Sequence, residues 1–213
     1  MKENGLRKDV MSSFYYFLAV ILLGLLVEIF HLNAIECSLV LEVQDILAHV
    51  LPVQIFVIFS YLGDLRFLLI ISLSYFVYSY YKSKSMDREI GLLVFLAIVT
   101  ISTYFLKELF RRERPYMYSA NIISYADEND FSFPSGHVSR SFGAYSIILD
   151  STNIGRTLLL VMVTLISLSR IVLGAHYVTD VVGAIFLSLF SGKLTNITLY
   201  VLNSRFKIVP EKM

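Results

Sequence analysis

Over residues 158–190 the chain is hydrocarbon-like except for three ionisable side chains, Arg170, His176 and Asp180, all within the stretch SRIVLGAHYVTD at 169–180. A run this long and apolar crosses a bilayer as helix, because only a helix satisfies its own backbone groups there. An ionisable side chain in such a segment is costly and therefore marks a functional site. If the chain is helical from about His176 onward, Asp180 lies one turn later on the same face, where its carboxylate can reach an imidazole nitrogen. A carboxylate-held histidine has a defined tautomer and a stabilised cation, as a histidine nucleophile or base requires.

The rest of the composition agrees with a polytopic membrane protein. Of 213 residues, 56% are hydrophobic and only 16% charged, with a mean hydropathy of +0.69. A net charge of +1 leaves no electrostatic footprint for nucleic acid, which is excluded as a partner. The lone cysteine, Cys37, excludes an internal disulfide and a cysteine-rich metal cage, and reads as a small residue at a membrane boundary. Tryptophan is absent, so tyrosines serve as the interfacial anchors.

Taken in order, the sequence predicts an all-α fold: a six-transmembrane helix bundle forming one domain over 1–213. Span 1 covers 13–30, a retained span rather than a signal peptide, with Glu28 near the interface. Residues 38–50, with Glu42, Asp45 and His49 at near-helical spacing, predict an interfacial amphipathic helix whose polar face carries His49. Span 2 covers 67–81 with a turn before it, and 52–61 either dips into the interface or opens that span. Span 3 covers 89–106, and a polar loop at 107–132 separates it from span 4 at 137–149. Ser139, Ser141, Gly143 and Ala144 suit span 4 to close packing in the interior. Spans 5 and 6 cover 157–173 and 176–201, with Lys193 snorkelling to the interface.

Six spans place both termini on one side, together with Lys2, Arg7, Lys8, Lys82, Lys84, Arg88, Arg156, Arg205, Lys207 and Lys212. The positive-inside rule makes that side cytoplasmic. The expected setting is a bacterial inner membrane, with the 107–132 loop and the turn between spans 5 and 6 on the periplasmic side. Basic residues on that side run against the orientation bias, which suggests that chemistry retains them.

Three stretches converge there: KELFRRERP at 107–115, Pro134-Ser135-Gly136-His137 at the mouth of span 4, and 169–180. Arginine offers phosphate a planar fork, and lysine adds a point charge. A Ser-Gly turn at a helix N-terminus offers backbone N–H donors to an anion. One histidine can attack phosphorus while the other protonates the leaving alkoxide. Cationic side chains supply the charge stabilisation, so the scheme requires no metal and no cofactor.

The pattern Lys-x6-Arg-Pro, Pro-Ser-Gly-His, then Ser-Arg-x5-His-x3-Asp resembles the three-part signature of the type 2 phosphatidic acid phosphatase superfamily. It extends from Lys107 to Asp180, about a third of the chain, with its parts in order. The resemblance implies His176 as a nucleophile forming a phosphohistidine and Asp180 as the carboxylate orienting it. It implies His137 as the acid for the leaving group and the base for water. Lys107, Arg114, Arg170, Ser135 and Gly136 correspond to the phosphate cradle. Val172 stands where an aromatic residue is common and Val178 where a proline is, departures that bear on packing or substrate.

The remaining charged residues have plainer readings. Arg111 and Arg112 read as interfacial lipid-headgroup contacts or as support behind the cradle. Arg140 pairs with a carboxylate or touches a headgroup. Asp127, Glu128 and Asp130 read as a solvated loop face, with headgroup selection as the alternative. The expected activity is metal-independent hydrolysis of a lipid phosphate monoester or pyrophosphate, of the phosphatidylglycerophosphate, undecaprenyl pyrophosphate, phosphatidate or lipid A class. Transfer of the phosphoryl group to another lipid, or anionic-lipid binding or transport without catalysis, are the alternatives.

Overall fold

The computed structural model describes residues 3–82, 86–126, 128–149 and 152–206. Lys2, Lys84, Asp127, Lys207 and Lys212 lie outside the described residues. Among the described residues the fold is all helical: α1 (Glu3–Ile29), α2 (Asn33–Val50), α3 (Val53–Tyr61), α4 (Leu65–Tyr81), α5 (Asp87–Phe110), α6 (Pro115–Tyr118), α7 (Gly136–Ile148), α8 (Asn153–Val172) and α9 (Val178–Phe206).

By length and apolarity α1, α5, α8 and α9 can each cross a membrane, and the protein is an integral membrane protein. The α3–α4 pair, bent by 46°, adds a fifth crossing if it forms one span. The break has a local cause: the Asp64 carboxylate accepts the Arg66 N–H at 2.9 Å and caps α4, so the chain starts a new helix instead of continuing α3. Pro52 immediately precedes α3, so 52–61 belongs to this bent pair. The expected sixth crossing, α7, has only 13 residues. That is about 20 Å of helix against a hydrocarbon thickness of about 30 Å.

Helix α7 is surrounded by α5, α8 and α9, and this position explains its small-residue sequence. A Cβ at Gly143 would lie 2.0 Å from the Phe95 ring, so only glycine admits that ring against α7. Phe95, Val99, Leu106, Val138, Ala144, Ile166, Ala184 and Leu187 form the shared core, each fully buried. The periphery is reversed: Leu22, Ile70, Ile101 and Leu160 are exposed, as lipid-facing residues must be. Helices α1 and α9 pack together, and Lys193 of α9 reaches Asp9 of α1 at 2.8 Å. Lys193 thus has an ion-pair partner inside the bundle in addition to whatever interface it borders.

Alternation of helix direction brings the C-terminal ends of α5 and α8 and the N-terminal ends of α7 and α9 to one end of the bundle. Lys107, His137, Arg170 and Asp180 are all on these ends. Helix α2 lies across that end, in contact with α6 and α8.

Candidate active site

Local sequence sets each side chain. Lys107 ends α5, which stops at Arg111 in the left-handed region at φ 45°. Arg114 then caps α6, with Pro115 in its first turn, where the missing N–H costs nothing. Ser135 precedes α7, and its N–H donates to the Asp180 carbonyl at 3.1 Å, tying the mouth of α7 to α9. After α8 the chain turns at Gly174, φ +72°, where a Cβ would meet the Ile123 carbonyl oxygen at 2.7 Å. This turn returns the Ala175 and His176 N–H groups to the Arg170 carbonyl at 3.1 and 3.2 Å.

His176 and Asp180 meet as expected from their spacing, although α9 begins only at Val178. Nδ1 of His176 lies 3.2 Å from Oδ2 of Asp180, which also accepts the Tyr177 N–H at 2.9 Å. A carboxylate only accepts, so Nδ1 carries the proton and Nε2 keeps its lone pair. Nε2 faces Nη1 of Arg114 at 3.3 Å and a cavity of about 510 Å³. Lys107, Gly136, His137, Arg140, Glu128 and His176 are among the residues lining that cavity, and Tyr104, 64% exposed, stands at its rim.

The largest departure from expectation is the acidic loop. Glu128 is largely withdrawn from solvent, its side chain 21% exposed, while Asp130 remains 43% exposed, and both pair with the cations. Glu128 Oε1 lies 2.6 Å from Arg170 Nη2 and 3.6 Å from His137 Nδ1. Its Oε2 lies 2.7 Å from Arg114 Nη1 and 3.9 Å from His176 Nε2. Asp130 pairs with Lys107 Nζ at 2.5 Å and with Nη2 of Arg114. The physical reason is charge: Lys107, Arg114 and Arg170 are 6%, 0% and 2% exposed, and buried cations require anions. Sequence position alone shows an acidic loop; which acids turn inward depends on the fold.

The electrostatic consequences follow. Burial works to raise the Asp130 carboxyl, but Lys107 and Arg114 outweigh it and bring it from 3.8 to about 2. For Glu128, burial is likewise overcome by Arg170 and Arg114, and its carboxyl is held below the ordinary value. Burial, then Arg114 and Arg170, holds the His176 imidazole well below its ordinary range, so it rests neutral.

The other named residues divide. Arg140 lines the cavity, but Arg111 does not; its side chain is 71% exposed and lies 3.5 Å from Glu108. Arg112 is buried and bonded to Asp180 Oδ1 at 2.7 Å, a supporting position behind the cradle. Ser135 is fully buried, and its hydroxyl has no partner among the described residues, beside Gly136 at the start of α7. Cys37 is buried, with Sγ 3.8 Å from the Tyr177 hydroxyl. Ser60 accepts from Arg170 Nη1 at 2.5 Å, and Asp64 lies 4.0 Å from His137 Nε2. Neither Ser60 nor Asp64 belongs to a motif. Among the described residues no group of three or more His, Cys, Asp or Glu could hold a metal ion.

Two histidines, the Glu128 and Asp130 carboxylates and the cations Lys107 and Arg140 thus line one cavity at the end of a helical membrane bundle. The chain belongs to the PAP2 superfamily, whose family model matches residues 88–203. Its fold is similar to a transmembrane PAP2-type phosphatidylglycerolphosphate phosphatase from Bacillus subtilis, with a TM-score of 0.71 at 23% identity, covering 94% of this chain and 99% of that one. It is also similar to LpxE from Aquifex aeolicus, with a TM-score of 0.60 at 21% identity, covering 68% and 87% of the two chains.

Proposed function

We propose that this protein is a metal-independent lipid phosphate phosphatase working through a phosphohistidine on His176. The observation that carries the proposal is the convergence of Arg114 and Arg170 on one anion, the Glu128 carboxylate, in front of His176 Nε2. A phosphoryl group in that place would meet the same two guanidinium forks, with Lys107 and the α7 N-terminus, at Ser135 and Gly136, adding donors.

In the first step the Nε2 lone pair forms the bond to phosphorus, the ester P–O bond breaks, and His137 gives its proton to the leaving oxygen. Asp180 stabilises the cationic ring through Nδ1–H. In the second step His137 takes a proton from water, the water oxygen bonds to phosphorus, and the Nε2–P bond breaks to release orthophosphate. Lys107, Arg114 and Arg170 stabilise the equatorial oxygens throughout.

The substrate is a membrane lipid, because the cavity lies between helices whose outer faces are apolar. The proposed topology has six crossings, with α7 as the short one and α2 as an interfacial helix. Lys82, Arg88 and Arg156 lie at the helix ends opposite the site. The positive-inside rule makes that end cytoplasmic and the site periplasmic.

The test is orthophosphate release from phosphatidylglycerophosphate, undecaprenyl pyrophosphate, phosphatidate and phosphorylated lipid A in detergent with EDTA. Turnover of at least one, lost in His176→Ala, is expected. No release from any of the four would overturn the proposal.

A further inference from the structure

Behind His176, on the side away from the cavity, lies a chain of buried charges that the three sequence motifs do not explain. Asp180 splits its carboxylate: Oδ2 serves His176 and the Tyr177 N–H, and Oδ1 accepts from Arg112 Nη1 at 2.7 Å. Arg112 is only 6% exposed, and all three of its guanidinium nitrogens donate hydrogen bonds. Nε donates to Asn33 Oδ1 at 2.8 Å, Nη1 also to Thr179 Oγ1 at 2.7 Å, and Nη2 to Glu36 Oε2 at 2.6 Å. Its Cζ lies 3.8 Å from the centre of the Tyr177 ring. Glu36, 5% exposed, closes the set by accepting the Thr179 N–H and hydroxyl at 2.8 and 2.6 Å.

Neither Glu36 nor Arg112 lines the cavity. Glu36 comes from α2, outside the residues that the family model matches. Burying Glu36, Arg112 and Asp180 is a poor route to stability, since the desolvation of three charges roughly cancels their attraction. What the arrangement does supply is direction. A carboxylate bonded on Oδ1 by a fixed, planar guanidinium cannot rotate, so Oδ2 stays on Nδ1 of His176.

We propose that Arg112 and Glu36 are positioning residues for the nucleophile: Glu36 orients Arg112, Arg112 locks Asp180, and Asp180 holds His176. The proposal rests on the phosphohistidine reading given above. When Nε2 bonds to phosphorus, the ring becomes cationic and its Nδ1–H needs a correctly placed acceptor. Without Arg112 the carboxylate turns towards other donors, and that acceptor is lost at the transition state. Substrate affinity, which depends on the cavity side, is left largely intact.

The experiment measures kcat and KM in detergent with EDTA, on whichever of the four lipids named above the wild type turns over fastest. Arg112→Gln, Arg112→Lys and Glu36→Gln are compared, and Arg112→Gln and Glu36→Gln are repeated in an Asp180→Asn background. Arg112→Gln is expected to lower kcat about 100-fold, and Glu36→Gln about 5- to 10-fold, with KM within about twofold of wild type. Arg112→Lys, which keeps the charge but not the fork, falls between wild type and Arg112→Gln. In the Asp180→Asn background both glutamine substitutions cost less than about threefold, because their effect passes through Asp180. If Arg112→Gln does not fold, Glu36→Gln with its Asp180→Asn partner carries the same test. Unchanged kcat per folded molecule, or full losses retained in the Asp180→Asn background, overturns the positioning role. Wild-type inactivity on all four lipids overturns the phosphatase reading itself, and this inference with it.

Discussion

Glu128 Oε1 lies 2.6 Å from Arg170 Nη2, so the loop carboxylate stands where an anionic substrate would meet the same guanidinium. The two anions compete for one set of donors. Glu128→Gln keeps the shape and removes the charge. Inhibition of lipid turnover by orthophosphate should strengthen by about 3- to 10-fold, equivalent to about 1 kcal/mol. A weaker or unchanged inhibition constant would place Glu128 outside the phosphate position.

Asp180→Asn retains the size of the side chain but can present an amide N–H to His176 Nδ1 and favour the wrong tautomer. The expected loss in kcat is about 10³- to 10⁴-fold, with KM little altered, read from single-turnover orthophosphate release. A loss below about tenfold would count against His176 as the nucleophile.

His176 must be neutral to attack, and burial, with Arg114 and Arg170 facing it, holds its imidazole well below the ordinary range. The acid limb of kcat/KM, which reports the free protein, should therefore fall below the pH of an ordinary histidine. The requirement for protonated His137 supplies the alkaline limb. A pH titration of kcat/KM checks both; a flat profile with chemistry rate-limiting would contradict the two-histidine scheme.

Asp130, depressed from 3.8 to about 2, has a sign that can be read in stability. A carboxyl lowered in the folded state stabilises at pH above its unfolded value, and that contribution is lost as pH falls from about 4 towards 2. In Asp130→Asn the thermal midpoint in detergent should be lower at pH 7, and its decline over that acid window should be shallower. Glu128, also held low, contributes in the same direction.

Gly143 faces the Phe95 ring with no room for a methyl group. Gly143→Ala should destabilise the bundle by about 1–3 kcal/mol, seen as a lower thermal midpoint in detergent. Adding Phe95→Leu should recover part of the loss, because the two changes share one contact.

The apolar runs, their breaks and the three motifs identify a helical membrane protein with a clustered phosphate site, because bilayer thickness and backbone hydrogen bonding leave few alternatives. The His176–Asp180 pair is legible for the same kind of reason: four residues of near-helical chain bring one side chain over the other. Hydropathy does not set the number of spans. Helix α7 is short and rich in small residues because neighbours surround it, and hydropathy does not register that environment. The bend between α3 and α4 depends on a cap at Asp64 that an apolar window passes over.

What the tertiary structure alone decided is which charges face one another across long sequence separations. Arg111 and Arg112 are adjacent and chemically alike, yet one is in solvent and the other is locked behind Asp180, because the left-handed residue at 111 turns the chain between them. Glu36, Ser60 and Glu128 carry no motif, and each reaches the site only through the packing of α2, α3 and the loop before α7. Local periodicity determines which helices form and which residues share a face. Pairing of buried charges is settled by three-dimensional proximity, since each ion excluded from water must find a partner from whichever segment the fold places beside it.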